Sequence, residues 1–256
     1  MMQKWYARTE MLFGRDAIET LAKARVAVFG VGGVGGYAVE VMARSGVGHI
    51  TLIDNDTVSI TNLNRQIIAL NSNLGEYKVD VARRRILDIN PECDVNAIRM
   101  FYLPEEAGNI DLSEYDYVAD CIDTIKAKID IAMRCHGLGV PLISSMGAAN
   151  KFDPTMFRVA DLSRTSMDPI AKIMRKKLRK AGIEHLKVVY SEEQPAHSSE
   201  QDVPDSGAEV SKRPVPASNA FVPAAAGIIL GGEIVKDIIG FPGKSQSGTP
   251  VTGTRC

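Results

Sequence analysis

Arg25-Val26-Ala27-Val28-Phe29-Gly30-Val31-Gly32-Gly33-Val34-Gly35-Gly36 is an apolar, β-branched run that breaks into glycine. Such a run predicts a short buried strand, and Ala38 to Ser45 then predicts a helix that Gly46-Val47-Gly48 stops. Gly30, Gly32 and Gly35 fall at the dinucleotide-fingerprint spacing between them. Glycine permits the tight turn and lets backbone approach a phosphate. The following helix offers free N–H groups and the positive end of its dipole. His49-Ile50-Thr51-Leu52-Ile53-Asp54 reads as the next strand, with a carboxylate at its end where ribose hydroxyls would lie. A glycine turn that serves only close packing is the plain alternative, and the placement of Asp54 argues against it. NAD, FAD and ATP all remain open on these residues.

The same alternation continues. Gly75 to Asn90 is helical, with Val79, Ala82, Ile86 and Ile89 on one face, and Asn90-Pro91 ends it. Strands follow at Val95–Met100, Tyr117–Cys121 and Pro141–Ser145, with a helix near Lys126–His136. This order predicts an α/β, doubly wound, Rossmann-like fold: a mainly parallel sheet with helices on both faces. Beyond Gly147 the pattern changes. Met156–Ala160 predicts an added, antiparallel strand. Asp168-Pro169 predicts an N-cap with proline at the first helical position of a helix reaching Ala181. Residues 192–218 read as a flexible insertion, Phe221–Ile239 as a closing helix, and residues 243–256 as a disordered tail. Residues 1–242 would then form one domain.

Composition narrows the classes. The chain has 256 residues, 45% of them hydrophobic, enough for one substantial core. Its formal net charge of −1 provides no global attraction for polyanions, so any nucleic-acid contact needs a local patch. Cys93, Cys121, Cys135 and Cys256 form no Cys-x-x-Cys pair, which disfavours a zinc site and fits reduced thiols in a cytoplasmic protein. Met1-Met2-Gln3-Lys4-Trp5 lacks the apolar core of a signal peptide. Ala220 to Gly240 carries Glu233, Lys236 and Asp237, so no membrane association is expected.

Asn62, Asn64, Arg65 and Gln66 lie just past the second strand, Lys78 opens the next helix, and Asp123 follows the Tyr117–Cys121 strand. Two cations and one carboxylate at that sheet edge suit a triphosphate with Mg2+. Nicotinamide, being neutral, needs none of them. Individually, Arg65 and Lys78 could be solvated surface charges and Asp123 a helix cap; the set is what points to a site.

Taken together, Gly30-Val31-Gly32-Gly33-Val34-Gly35, Asp54-Asn55-Asp56, Asn62-Leu63-Asn64-Arg65-Gln66, Gly75-Glu76-Tyr77-Lys78 and Asp120-Cys121-Ile122-Asp123 resemble the adenylating domain of the ubiquitin-activating-like superfamily. The resemblance implies that the glycines, Asp54, Asp56, Asn62, Asn64 and Gln66 surround ATP and that Gly33 touches it. It implies that Asp54 holds ribose, Arg65 and Lys78 hold phosphates, and Asp123 holds Mg2+. Arg8 matches an arginine that enters the partner subunit's site, so a homodimer is implied.

The second half resembles one branch of that superfamily. The matching segments are Pro141-Leu142-Ile143-Ser144-Ser145-Met146-Gly147-Ala148-Ala149-Asn150-Lys151, Asp153-Pro154-Thr155, Asp161-Leu162-Ser163, Asp168-Pro169-Ile170-Ala171 and Ser218-Asn219-Ala220-Phe221-Val222-Pro223. They are similar to the tRNA threonylcarbamoyladenosine dehydratase family, which implies a tRNA substrate and ATP-driven cyclisation of its threonylcarbamoyl group through an acyl-adenylate. The alternative is an adenylyltransferase acting on the C-terminus of a ubiquitin-like sulfur carrier. Such enzymes often carry zinc pairs and a nucleophilic cysteine in the second half, and this chain has no cysteine between Cys135 and Cys256. Whether a sulfur-relay partner takes part stays open. For tRNA, Lys172, Arg175, Lys176 and Arg179 are the candidate phosphate contacts, within the six-cation run Lys172, Arg175, Lys176, Lys177, Arg179, Lys180. A solvated helix face is the plain alternative for that run.

Overall fold

The computed structural model describes residues 4–196 and 216–241. The tail 243–256 and most of the predicted insertion therefore lie outside the described residues. Two helices, α1 (Ala7–Phe13) and α2 (Arg15–Lys23), precede the first strand. The strands are β1 (Arg25–Phe29), β2 (His49–Ile53), β3 (Asp94–Ile98), β4 (Tyr117–Asp120), β5 (Leu142–Ser145), β6 (Phe157–Asp161) and β7 (Lys187–Ser191). The remaining helices are α3 (Gly35–Ser45), α4 (Lys78–Ile89), α5 (Ile125–Leu138), α6 (Pro169–Lys180) and α7 (Val222–Ile238).

One seven-stranded sheet runs β3-β2-β1-β4-β5-β7-β6, parallel except for β6 on β7. The predicted doubly wound fold and the antiparallel added strand are both present. Three elements were not anticipated: α1, α2 and β7, the last a short Val-Val-Tyr run beside polar sequence. Successive residues of β1 serve opposite faces, Val26 and Val28 one cluster and Ala27 and Phe29 another. A strand buried on both sides must lie inside the sheet, and β1 does, between β2 and β4. The chain winds one way through β2 and β3, then returns across β1 to β4. A crevice therefore opens at the carboxyl ends of β1 and β4, where such folds hold ligands.

Two close approaches set that crevice. A Cβ on Gly35 would stand 1.9 Å from the Gly30 carbonyl oxygen, so the first turn of α3 folds directly onto the end of β1. Helix α7 is seated on α3 in the same manner: a Cβ on Gly227 would lie 2.2 Å from the Val34 carbonyl oxygen. The substitution Gly227→Ala should therefore lift α7 off α3 and cost about 1–3 kcal/mol of stability by overpacking. Urea denaturation would register it as a lower midpoint at unchanged slope.

Candidate nucleotide-binding site

The strand register places the candidate residues at one level. Phe29 pairs with Ile53 on one side and with Asp120 on the other, so Gly30, Asp54 and Cys121 leave the sheet together. Gly30 has φ +88°, a conformation that only glycine adopts freely, and its missing Cβ would stand 2.9 Å from the Cys121 carbonyl oxygen. Gly30 and Gly35 thus shape the turn. Gly32 and Gly33 face the crevice: a Cβ on Gly32 would lie 3.8 Å from Gln66 Nε2, and one on Gly33 would lie 3.2 Å from Pro223 Cβ and 3.5 Å from Arg65 Cγ.

Asp54 is half-buried. Its Oδ2 accepts from the Val31 N–H at 2.7 Å and its Oδ1 from the Asp56 N–H at 2.8 Å. Burial pushes its carboxyl above the ordinary range, against the pull of Lys78 and those two N–H groups. Both oxygens keep a lone pair for further donors such as ribose hydroxyls. Lys78 is buried, and its Nζ donates to Asp56 Oδ2 at 2.7 Å. Asp56 therefore acts here as the anchor of Lys78. Arg65 is held over Gly33 by bonds from Nη1 to the Thr61 carbonyl and to Asn64 Oδ1, each 3.0 Å. Asn64 Nδ2 donates to the Ser218 carbonyl at 3.2 Å, tying this loop to the approach to α7. Asn62 is buried with Oδ1 accepting from the Ser59 N–H, so its carbonyl end folds the loop.

Asp123 is exposed, two residues beyond Cys121. It does not cap α5, whose N-cap is Thr124. Arg8 is exposed on α1, and none of the contacts described for this site involves it.

These residues suit a nucleotide triphosphate. Gln66 Oε1 is buried without a hydrogen-bond partner among the described residues, an acceptor waiting beside the glycine turn. No group of three His, Cys, Asp or Glu residues that could hold a metal occurs among the described residues. A divalent ion would therefore rest on one carboxylate together with phosphate oxygens, the usual habit of Mg2+.

Two buried ion pairs beneath the site escaped sequence reasoning. Lys128 pairs with Asp120 at 2.9 Å and Lys151 with Asp168 at 3.1 Å. Lys128 sits at helical spacing with buried Ile131 and Cys135, so a lysine in an apolar stripe was the available signal. Asp168 does cap α6, its Oδ1 accepting from the Ala171 N–H at 3.0 Å, while its Oδ2 accepts from the Gly147 N–H at 3.1 Å. On α6, Lys172, Lys176 and Arg179 are exposed. Arg175 is different: its Nη1 donates to the Thr165 carbonyl at 2.7 Å and to Thr165 Oγ1 at 2.6 Å. That side chain anchors the helix and is not available as a free phosphate contact. On α4, Arg85 grips Glu40 at 2.7 and 3.0 Å.

The comparisons with known proteins agree with this geometry. A family model described as the ThiF family matches residues 6–252, and the chain belongs to that family. It is 49% identical over 239 residues to a tRNA threonylcarbamoyladenosine dehydratase of Bacillus subtilis, covering 91% of this chain and 94% of that one. It resembles the crystal structure of the Escherichia coli tRNA N6-threonylcarbamoyladenosine dehydratase in complex with AMP, with TM-score 0.81, 33% identity and coverage of 91% and 93%. The same enzyme in complex with ATP gives TM-score 0.80 at 32% identity, with coverage of 92% and 93%. The match to an E. coli molybdopterin-synthase adenylyltransferase is weaker, 33% identical over 58% of this chain and 59% of that one.

Burial pushes the thiols of Cys121 and Cys135 up to about 12 and that of Cys93 up to about 11. A raised thiol stays neutral, so none of the three is a ready nucleophile at pH 8. In the native protein each should react with a disulfide reagent roughly 100-fold or more slowly than an ordinary cysteine. Absorbance kinetics, with peptide mapping of the labelled sites, would check this against the urea-unfolded chain.

Proposed function

We propose that this protein uses ATP to dehydrate the threonylcarbamoyl group on a tRNA adenosine, closing it into a ring. The observation that carries the reading is the 49% identity, across nearly the whole chain, to the B. subtilis enzyme of that name. The chemistry required fits the residues. A free carboxylate is a poor electrophile because its leaving group would be oxide. Attack of its oxygen on the α-phosphorus of ATP releases pyrophosphate and gives an acyl-adenylate. Nitrogen of the substrate's own carbamoyl group then attacks the activated carbonyl and expels AMP, and the net loss from the tRNA is one water. An intramolecular attack needs positioning and charge stabilisation more than a protein nucleophile.

In this reading Asp54 orients ribose, and Gly32 and Gly33 admit the phosphates at the N-terminus of α3. Arg65 and Lys78 neutralise developing phosphate charge, and Gln66 accepts a hydrogen bond from the bound nucleotide. Asp123 would hold Mg2+, which supplies charge neutralisation to the triphosphate. Arg8 would serve the site of a second copy in a homodimer. No helix among the described residues is long and apolar enough to cross a membrane, and we place the protein in the cytoplasm with reduced thiols.

Purified protein with ATP and Mg2+ should convert threonylcarbamoylated tRNA to a product one water lighter by nucleoside mass spectrometry. Asp123→Ala should lower turnover at least 100-fold, about 2.7 kcal/mol, with the melting temperature unchanged. No mass loss while ATP binds, or ATP–pyrophosphate exchange that needs a small carrier protein instead of tRNA, would refute the reading. For the RNA face, replacing Lys172 and Lys176 with serine should reduce the salt slope of tRNA binding by roughly 2. Filter binding across salt concentrations would show it. Arg175→Ala should instead act on stability, by about 1–3 kcal/mol.

A further inference from the structure

The Asp123 loop is held from below by charges that sequence reasoning did not find. Lys128 and Asp120 are both buried, with side chains 1% and 0% exposed, and their charged atoms are 2.9 Å apart. Ser144 Oγ donates to Asp120 Oδ2 at 2.5 Å. The pair also clasps one residue from both sides. Lys128 Nζ donates to the Ile122 carbonyl at 3.0 Å, and Asp120 Oδ1 accepts from the Ile122 N–H at 3.4 Å. Ile122 immediately precedes Asp123.

Stability alone explains this poorly. A buried ion pair is often no better than apolar side chains of similar volume. A lysine near the N-terminal end of α5 also opposes the helix dipole. Fixing the peptide groups on either side of Ile122 is a different task, one that an apolar pair cannot perform. From above, Gly30 presses on the same loop, its missing Cβ 3.0 Å from Ile122 Cγ2. The direction in which the chain leaves toward Asp123 is therefore set by Lys128 and Asp120 below and by the glycine turn above.

We propose that Lys128, acting with Asp120 and Ser144, is a positioning residue that orients Asp123 toward the Mg2+ of bound ATP. This rests on the reading of Asp123 as the metal ligand. Lys128 does not touch the nucleotide, so its loss leaves metal-free ATP binding intact and removes the gain that Mg2+ gives.

The test compares Lys128→Gln, Ser144→Ala and Asp123→Ala with the parent, using the full chain. A fluorescent ATP analogue is titrated with and without Mg2+, alongside melting temperature and the Mg2+ dependence of turnover. For Lys128→Gln the expected result is metal-free affinity within about 3-fold of the parent and loss of the Mg2+ gain. The Mg2+ concentration for half-maximal turnover should rise about 10-fold or more. Ser144→Ala, a milder change that keeps the ion pair, should move the same quantities in the same direction, about 3-fold. Lys128→Gln added to Asp123→Ala should cause no further loss of Mg2+ response. If Asp123→Ala abolishes the Mg2+ response while Lys128→Gln and Ser144→Ala keep it, the inference is overturned and the metal reading stands. If Lys128→Gln fails to fold, an unchanged Mg2+ response in Ser144→Ala overturns it as well. If Asp123→Ala itself leaves the Mg2+ response unchanged, the metal reading fails and the inference with it.

Discussion

Gly30 and the Cys121 carbonyl meet so closely that a single methyl group would stand 2.9 Å from that oxygen. The nucleotide end of the site depends on this approach. It brings the end of β1 against the end of β4, so the turn that opens α3 and the loop that carries Asp123 share one wall. Asp54 fastens the turn from the opposite side through the Val31 N–H. The positive end of α3 and the loop of Asp123 thus take their relative places from a close backbone approach and from half-buried or buried side chains that hold the backbone on either side of it. Positioning of that kind is what a reaction between two bound partners requires.

The charges then divide by task. Lys78 is buried and tethered to Asp56, so its position varies little, whereas Arg65 is braced by carbonyl and amide oxygens of its own loop. Both bring positive charge to a turn whose Val31 N–H is already held by the Asp54 carboxylate. Asp54 has a raised carboxyl because burial outweighs its partners, and further donors to its oxygens would favour the ionised form. Burial raises the thiols at hand in the same direction, toward the neutral form. Among the described residues, the site is rich in phosphate-facing charge and has no activated sulfur nucleophile. That composition matches a substrate that closes on itself.

Most of the sheet was legible because strand and helix periods alternate cleanly from Arg25 to Ser145. That the glycine turn, Asp54, Arg65, Lys78 and Asp123 follow strand ends along one sheet edge was legible from their order in the chain, while their roles toward ATP belong to the proposed reading. β7 was not, since Val188-Val189-Tyr190 is too short to stand out beside Glu192-Glu193. Asn62 and Asp56 read as ligand contacts because spacing locates a residue near a crevice without saying what its side chain bonds. The structure adds the bonds those side chains make, a local turn-capping bond from Ser59 to Asn62 and a tertiary pairing of Asp56 with Lys78. Asp120 and Lys128 were invisible as a pair for a similar reason. They lie on a strand and a helix whose packing, and not their separation in sequence, brings their charges to 2.9 Å.

The two ends of the site are built on different principles. At the nucleotide end, backbone meets backbone, and a side chain at Gly30 or Gly35 has no room. At the far end, a buried ion pair joins the loop after β5 to the start of α6: Lys151 Nζ donates to the Gly147 carbonyl and to Asp168, which caps the helix. Arg175 fastens the same helix to Thr165. Helix α6 is therefore fixed in orientation relative to the crevice, with Lys172 and Lys176 one turn apart on its exposed surface. Lys177, Arg179 and Lys180 sit in the last turn, where the helix dipole alone would favour cations. Lys172 stands near the opposite end, where the dipole disfavours it. The dipole therefore does not account for its charge, which in the proposed reading contacts the polyanionic substrate.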